Sequence, residues 1–295
     1  MLDIHQPGAI WENWVLDGEI GHGAYGTVYR AHRINAYSHA EQLAAVKHIP
    51  VDGPGLSDDI GIGSNQFNSA GLEAQKAKVS GELTAMVNLR GKAHIVSYED
   101  HREIVRPDGD GFDVFLRMEL LTSLNAMVEK EGLPSRMKVA RLGMDIGGAL
   151  EVLEKRHYLH RDIKPANIFV DSMGDYKLGD FGTARILNER NMASTKAGTL
   201  LYMAPEVVEG LAAYDWTVDL YSLGIVLYRL LNDNFLPFMD EKHPDSTKAV
   251  EWRTRGVPIP PPRHGDEELN RIVFRCIAHQ PQDRYRNATE LVHDL

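Results

Sequence analysis

Cysteine is almost absent from the sequence, because Cys276 is the only one among 295 residues. A single cysteine excludes an intrachain disulfide, so folding in a reducing compartment is expected. The residues around it, 271–277, follow an apolar pattern typical of a helix. Cys276 is therefore predicted to be a buried structural thiol and not a reactive one.

Excess positive charge and long apolar runs are also lacking. The formal net charge is -10, and no basic stripe marks a general nucleic-acid-binding surface. The longest apolar stretch, near residues 221–231, is too short to span a bilayer, and the N-terminus does not resemble a signal peptide. We therefore expect no nucleic-acid or membrane partner for the given chain, and a cytoplasmic location.

Three short polar motifs are present in a fixed order. They are HRDIKPAN at residues 160–167, DFG at residues 180–182, and GTLLYMAPE at residues 198–206. In this order and spacing they bring a catalytic carboxylate and two candidate metal-binding side chains to one loop. A charged surface turn would explain any one of them alone, but the three together argue against it.

With these motifs the chain resembles the eukaryotic-like (Hanks-type) serine/threonine protein kinases, from about Trp14 to the last residue. The resemblance implies an α+β, bilobal protein-kinase fold, with a small antiparallel β-sheet N-lobe carrying one regulatory helix and a larger, mainly helical C-lobe. It divides the chain into an N-terminal arm (1–13), an N-lobe (14–118, with a loop insert at 51–70), and the hinge and C-lobe (119–295). The sequence is similar to stand-alone bacterial kinase domains.

The activity implied by the resemblance is Mg2+-ATP-dependent transfer of the γ-phosphate to serine or threonine hydroxyls of protein substrates. Asp162 would orient or deprotonate the attacking hydroxyl, and Lys164 would neutralise charge on the phosphoryl group. Asn167 and Asp180 would offer oxygen ligands to Mg2+, which needs only one or two protein ligands beside the ATP phosphates.

A G-x-G-x-x-G pattern occupies Gly21, Gly23 and Gly26. The same pattern marks dinucleotide-binding folds, in which it opens a helix. Here the next residues, 27–31, favour a strand, so a hairpin is predicted whose backbone N–H groups approach the ATP phosphates. In the family, Val28 would pack on the adenine.

The predicted strand at residues 43–49 holds Lys47 inside an apolar run. A lysine on the solvent face of a sheet is the ordinary alternative. The resemblance assigns Lys47 to the α- and β-phosphates of ATP, and Ala45 to the small position above the adenine. An ammonium buried in such a strand needs an acidic partner.

The partner of Lys47 is expected on a helix predicted over residues 72–89. Glu82 is preferred, because Met86 follows it at helical spacing and would bury the same face. Glu73 is the alternative. Either glutamate would otherwise be a solvated helix charge.

The hinge is assigned by resemblance to the residues after the second predicted hairpin. Met118 would be the gatekeeper, backbone groups of Glu119 and Leu121 would bond the adenine, and Phe169 would close the adenine site from below.

Regulation is assigned to the polar segment between the second and third motifs. Ser194 or Thr195 would be phosphorylated, in trans by another copy of the chain through self-association, and Arg161 would pair with that phosphate. Thr199 together with Lys164 is typical of the serine/threonine class. An ordinary flexible loop with hydroxyl residues is the alternative for this segment.

Two further contacts are implied by the resemblance. Glu206 would form a buried ion pair with Arg284, and Asp219 would brace the backbone of the catalytic loop.

Two positions depart from the family: His94 replaces an asparagine, and Ala166 replaces a glutamate found in many kinases that select arginine. Strong basic selection at that subsite is therefore not expected.

Two rival functions remain open. The first is an ATP-holding scaffold with negligible turnover, against which the intact Asp162, Lys164 and Asp180 count. The second is a small-molecule phosphotransferase, against which the peptide-docking segment 198–206 counts.

Overall fold

A computed structural model describes residues 8–23, 26–52, 65–107, 111–186, 199–210 and 214–295. These residues fall into two units, the first within Met1–Gly91 and Val96–Leu121, the second within Lys92–Ile95 and Thr122–Leu295. The expected α+β class is confirmed, because the first unit is built on an antiparallel sheet with one helix and the second is mainly helical.

The first unit is a five-stranded sheet with a single helix. Its elements are β1 (Val15–Gly23), β2 (Gly26–Ile34), β3 (Glu41–Asp52), α1 (Asn65–Leu89), β4 (Tyr98–Val105) and β5 (Gly111–Met118). The strands pair in the order β1-β2-β3-β5-β4, and α1 packs against β3. Successive side chains of a strand point to opposite faces, and residues 44–47 of β3 are all buried, so both faces of this central strand are covered.

Residues 8–13, the described part of the arm predicted at 1–13, belong to this unit, and for these residues the prediction of an arm is corrected. Trp11 and Trp14 are only 5% and 6% exposed and join the core cluster on one face of the sheet. The indole of Trp11 donates to Asp100 at 2.8 Å, and the guanidinium of Arg117 lies 4.9 Å and 4.7 Å from the two tryptophan rings. A short aperiodic segment can still dock firmly when it carries large aromatic side chains.

The loop insert predicted at 51–70 is also corrected. Strand β3 continues to Asp52, and α1 begins at Asn65 instead of Leu72. Residues 65–71 show no apolar periodicity in the sequence, and a prediction based on that periodicity therefore misses this end of the helix. Residues 53–64 lie outside the described part of the chain.

The second unit is mainly helical. Its elements are β6 (Thr122–Ser123), α2 (Leu124–Glu131), α3 (Arg136–Glu154), β7 (Tyr158–Leu159), β8 (Ile168–Val170), β9 (Tyr176–Leu178), β10 (Arg185–Ile186), α4 (Pro205–Val208), α5 (Thr217–Leu230), α6 (Ser246–Thr254), α7 (Glu267–Cys276) and α8 (Ala288–Asp294). The apolar residues 139, 142, 146, 150 and 153 recur at helical spacing and are all buried in α3, the helix before the first motif. In α5 every residue except Arg229 is buried, and this helix packs against α3 and α7.

The contact between α5 and α7 depends on a glycine. A Cβ at Gly224 would lie 2.5 Å from the Cβ of Cys276, closer than any real side chain could come. Cys276 is fully buried, and burial raises the pKa of its thiol to about 12. The prediction of a buried structural thiol is confirmed.

Two small sheets frame the loop that carries the first motif. One has the order β6-β8-β9, and the other pairs β10 with β7. The loop runs from β7 to β8 between them, and the DFG motif follows β9. None of the helices in the described residues is long and apolar enough to cross a membrane.

Candidate active site

A buried ion pair lies in the first unit. Lys47 Nζ is 2.6 Å from Glu82 Oε1, and the two side chains are 8% and 3% exposed. Glu73, the alternative partner, is 72% exposed and bonds Lys76 within the same helix. The structure thus brings Lys47 together with Glu82 and leaves Glu73 at the surface.

The predicted adenine contacts share one face of the sheet with Lys47. Val28 is paired with Lys47 across β2 and β3, and Ala45 is paired with Met118 across β3 and β5. Directly opposed residues point to the same face, as do Ala45 and Lys47 two positions apart. The structure therefore gathers these four side chains on one surface of the sheet.

The glycine pattern lies in a β-hairpin, as its strand-favouring continuation predicted. Gly21 is opposite Val28, and Gly23 is opposite Gly26. Gly26 has a φ of 137°, and a Cβ there would come within 2.0 Å of the His48 carbonyl oxygen. Only glycine fits at this position.

Part of the hinge backbone already forms hydrogen bonds within the first unit. The N–H of Glu119 donates to the Ser97 carbonyl at 3.1 Å, and the Glu119 carboxylate accepts the N–H of Ser97 at 2.6 Å. Any adenine contact from Glu119 must therefore use its carbonyl oxygen. Leu121 ends this unit, whereas Phe169 lies in β8 of the second unit, paired with Ser123 and Lys177.

Asp162 is the centre of a hydrogen-bond network in the second unit. Its Oδ1 accepts the backbone N–H of Thr199 at 2.8 Å and the hydroxyl of Thr199 at 2.9 Å. Lys164 Nζ lies 2.8 Å from Asp162 Oδ2 and donates to the Thr199 hydroxyl at 2.9 Å. A carboxylate, a cation and a hydroxyl from distant parts of the sequence are held together in this way.

Asn167 is fixed by the same network. Its Nδ2 donates to the Asp162 carbonyl at 2.8 Å and to Asp162 Oδ2 at 3.0 Å. Within the described residues its amide oxygen receives no hydrogen bond, so that oxygen is available to a cation. The Asn167 carbonyl accepts the N–H of Gly179 at 2.9 Å, which ties this loop to Asp180.

Asp180 has left-handed backbone geometry, with a φ of 59°. This is a conformation that aspartate adopts more readily than most residues. Asn167 and Asp180 together offer an amide oxygen and a carboxylate, the hard oxygen ligands that Mg2+ prefers. The donor set therefore fits Mg2+.

The backbone of the catalytic loop is held from α5. Asp219, 2% exposed, accepts the N–H groups of His160 and Arg161, each at 2.8 Å. Burial raises the pKa of Asp219, against the opposing effect of His160 and the two N–H donors. These two hydrogen bonds are the contact predicted between Asp219 and the backbone of the catalytic loop.

Sequence reasoning missed two residues of this framework. The His160 ring contacts the Gly179 carbonyl at 3.0 Å and meets the Phe181 ring edge-on at 5.1 Å between centroids. The hydroxyl of Thr183, a buried residue, donates to the His160 carbonyl at 2.9 Å. For Thr183, the signal available in the sequence was a hydroxyl residue directly after the DFG motif.

The regulatory residues are described only in part. Arg161 Nε donates to the Thr183 carbonyl at 2.8 Å, so its guanidinium faces the start of the segment that follows the DFG motif. Ser194 and Thr195 lie outside the described residues. Thr199 lies beside Asp162 and Lys164.

The predicted pair of Glu206 and Arg284 is present. Its two hydrogen bonds are 2.7 Å and 2.9 Å long, and the Arg284 side chain is 0% exposed. The bidentate geometry joins α4 to the segment before α8.

Comparison with known proteins identifies the family. Residues 14–295 match the model of the protein kinase domain, and the chain belongs to this family. It is 31% identical over 220 residues to a probable serine/threonine-protein kinase of Clostridium perfringens, covering 72% of this chain and 30% of that protein. It is 32% identical over 209 residues to the serine/threonine-protein kinase PknB of Mycolicibacterium smegmatis, covering 68% and 32%.

A third relative is the serine/threonine-protein kinase PknL of Mycobacterium tuberculosis, 30% identical over 241 residues, covering 76% of this chain and 57% of PknL. The chain thus spans about a third of the length of the first two relatives.

Proposed function

We propose that this protein is a Mg2+-ATP-dependent serine/threonine protein kinase that transfers the γ-phosphate of ATP to protein hydroxyls. The observation that carries the proposal is the network of Asp162, Lys164 and Thr199. It combines a proton acceptor, a cation and an orienting hydroxyl around one point, and phosphoryl transfer requires positioning and charge stabilisation of this kind.

Asp162 is proposed to accept a hydrogen bond from the substrate hydroxyl and to orient its oxygen toward the γ-phosphate. Lys164, held 2.8 Å from Asp162 Oδ2, would neutralise charge that develops on the phosphoryl oxygens. Thr199 keeps both side chains in register. A serine or threonine hydroxyl on a short side chain suits this arrangement.

Ten residues are proposed to contact ATP. The proposed contacts are Gly21, Gly23, Gly26, Val28, Ala45, Lys47, Met118, Glu119, Leu121 and Phe169. Lys47 would bind the α- and β-phosphates, and Glu82 would keep its ammonium in position. Asn167 and Asp180 would hold Mg2+, which neutralises phosphate charge when bound.

Phosphorylation of Ser194 or Thr195 is proposed to order the activation segment by pairing with Arg161. Phosphate favours bidentate contact with a guanidinium. Transfer between two copies of the chain would make this step dependent on protein concentration. The cytoplasmic location and the lack of a nucleic-acid partner stay predictions.

Intact mass after incubation with Mg2+-ATP tests the proposed function. Wild type should gain mass in steps of one phosphate, while Asp162→Ala, Asp180→Ala and wild type with EDTA should not. Peptide mapping should place the phosphate on Ser194 or Thr195.

Absence of any phosphate, with ATP still raising the melting temperature, would favour the scaffold. Phosphate found only on a small metabolite would favour the small-molecule phosphotransferase.

A further inference from the structure

Two arginines lie beneath the segment that follows Thr199. We call residues 199–206 the acceptor shelf. Arg229, in the last turn of α5, donates from Nη1 to the Tyr202 hydroxyl and from Nε to the Asn234 carbonyl at 2.9 Å. Arg253, on α6 and 3% exposed, donates from Nη2 to the Leu201 carbonyl at 2.7 Å.

Neither guanidinium has an acidic partner within the described residues. Their hydrogen bonds go to neutral oxygens, and the buried Nε of Arg253 has no partner in this part of the chain. Two acidic residues close in sequence to the acceptor shelf or to Arg229 pair with other arginines, since Glu206 binds Arg284 and Asp233 binds Arg263. Positive charge is thus left uncompensated under the acceptor shelf, in a chain whose net charge is -10.

The end of a helix does not account for the missing acid. A cation in the last turn is favoured by the helix dipole, which explains why an arginine suits position 229. However, Arg275 occupies the last turn of α7 and still has the carboxylates of Glu290 and Asp294 within 3.4 Å and 3.7 Å. An arginine in the last turn of a helix can therefore also have a carboxylate partner. Arg229 is in the last turn of α5 but has no carboxylate partner among the described residues.

Arg229 is close enough to the reacting centre to meet a bound peptide. The N–H of Tyr202 donates to the Thr199 carbonyl at 2.9 Å, which makes a tight turn, and the Thr199 hydroxyl is 2.9 Å from Asp162 Oδ1. A turn of this kind spans less than about 7 Å, so the Arg229 guanidinium lies on the order of 15 Å from the Asp162 carboxylate. An extended peptide covers that distance in about five residues.

We propose that Arg229 forms a substrate subsite for an acidic side chain, aspartate, glutamate or a phosphorylated residue, within about five positions of the acceptor hydroxyl. This inference rests on the proposed kinase function and names its substrate class. Arg229 is partly exposed and would contact the acidic group. Arg253 is buried, so it would add positive potential from below without contact.

A peptide series tests the subsite. One serine acceptor peptide is prepared with aspartate, phosphoserine, alanine or lysine at each position up to about five residues on either side. The ratio of kcat/KM for each peptide to that for the alanine peptide is measured within each variant. Wild type should favour aspartate at one position by roughly tenfold, and the phosphoserine arm shows whether carboxylate or phosphate is preferred.

Charge variants of Arg229 supply the decisive comparison. Arg229→Gln should bring the aspartate ratio at that position near one, Arg229→Lys should retain part of it, and Arg229→Glu should shift the preference to lysine. Arg255→Glu is the matched control, because Arg255 caps the C-terminal end of α6, is 70% exposed and already pairs with Glu251. This control should keep the wild-type ratio.

Equal ratios for all wild-type peptides, or an aspartate preference unchanged in Arg229→Glu, would overturn the subsite. High salt should also remove the preference of wild type for the aspartate peptide. This test needs only wild type, so it does not depend on whether the variants fold. Failure to phosphorylate any peptide would count against the proposed kinase function instead. In that case, fluorescence anisotropy of the same labelled peptides decides the subsite, with tighter wild-type binding of the aspartate peptide expected.

Discussion

A buried ammonium such as that of Lys47 is tolerated only beside a fixed negative charge. Glu82 supplies that charge at 2.6 Å from α1, and both side chains are almost fully buried. Removing one partner leaves the other buried and uncompensated, so the pair acts as a unit. If Lys47 binds ATP phosphates, the position of its ammonium depends on this contact with the helix.

Glu82→Gln should lower the rate of peptide phosphorylation by at least about tenfold, because the neutral amide no longer orients the ammonium of Lys47. Initial rates at saturating ATP measure the effect. Glu73→Gln is the control on the same helix, since Glu73 is 72% exposed and pairs with Lys76 at the surface. It should stay within about twofold of wild type. A similar loss in both variants would contradict the special position of Glu82.

The residues of the catalytic loop could be predicted because their side-chain chemistry is specific. Asp162, Lys164 and Asn167 meet in one network, and the sequence motif names all three. Thr183 and the ring of His160 could not be predicted in the same way. Their contacts are made to backbone carbonyls, and a backbone carbonyl has no sequence signature.

Elements that depend on local pattern were predicted less evenly. The apolar spacing of residues 139–153 is visible in the sequence and lies within α3, whereas α1 begins at Asn65, ahead of any apolar period. The docking of Trp11 depends on Asp100 and Arg117, which are about a hundred residues away in sequence. No local pattern encodes a contact of that range.

The joint between α3 and α8 contains a titratable group. Glu154 Oε1, at the end of α3, accepts the N–H of Ala288 at the start of α8 at 2.9 Å. Burial raises the pKa of Glu154 from 4.5 to about 7, and the nearby carboxylates of Asp219, Glu151 and Asp215 add to the effect. No cation pairs with Glu154 among the described residues, so its ionised form is disfavoured.

The free energy of unfolding should therefore decrease as the pH rises and Glu154 ionises. The folded protein holds the proton of Glu154 more tightly than the unfolded chain, so the stabilising effect is complete below about pH 4.5 and is lost as pH approaches about 7. A change of pKa from 4.5 to about 7 sets an upper limit of about 3 kcal/mol, and partial exposure reduces it.

Glu154→Gln should remove that part of the pH dependence while keeping an acceptor for Ala288. The variant should be more stable than wild type at pH 8 by about 1 kcal/mol and close to wild type at pH 5, as measured by urea unfolding at both pH values. Glu129→Gln, an exposed position on α2, should leave the difference between the two pH values unchanged. An unchanged difference in Glu154→Gln as well would show that Glu154 ionises freely in the folded protein.

At the scale of the whole chain, the units do not follow the sequence in two continuous blocks. Lys92–Ile95 belong to the helical unit, although the sheet unit lies on both sides of them in sequence. The N–H of Leu178 donates to the His94 carbonyl at 2.8 Å, and the His94 ring contacts the Tyr176 carbonyl at 3.2 Å. The boundary predicted at 118–119 therefore misses the assignment of residues 92–95 to the helical unit. Backbone contacts between distant segments cannot be recognised from the sequence of either segment.

The helical unit also depends on a long-range ion pair. Glu206 and Arg284 are 78 residues apart, and their pairing fixes the end of the acceptor shelf to the last part of the chain. Arg284 also donates to the carbonyls of Ala278 at 2.8 Å and His279 at 3.2 Å, and its guanidinium lies 4.8 Å from the Tyr221 ring. One side chain therefore joins α4, α5 and the segment before α8.

Arg284→Gln should destabilise the protein strongly, because it leaves the buried carboxylate of Glu206 without its partner. The loss of one side of a buried pair costs about 3–5 kcal/mol, which corresponds to a melting temperature lower by roughly 10 °C. Arg286→Gln is the matched control two positions away: Arg286 is 86% exposed, and its contact with Glu290 is 3.8 Å long. Its melting temperature should stay within about 1 °C of wild type, because exposed pairs contribute little. Equal melting temperatures for Arg284→Gln and wild type would mean that the ion pair with Glu206 and the hydrogen bonds of Arg284 to backbone carbonyls are all dispensable for stability. The acceptor shelf would then be held by its other contacts, such as those of Arg229 and Arg253, and Arg284→Gln should in that case also phosphorylate peptides at the wild-type rate.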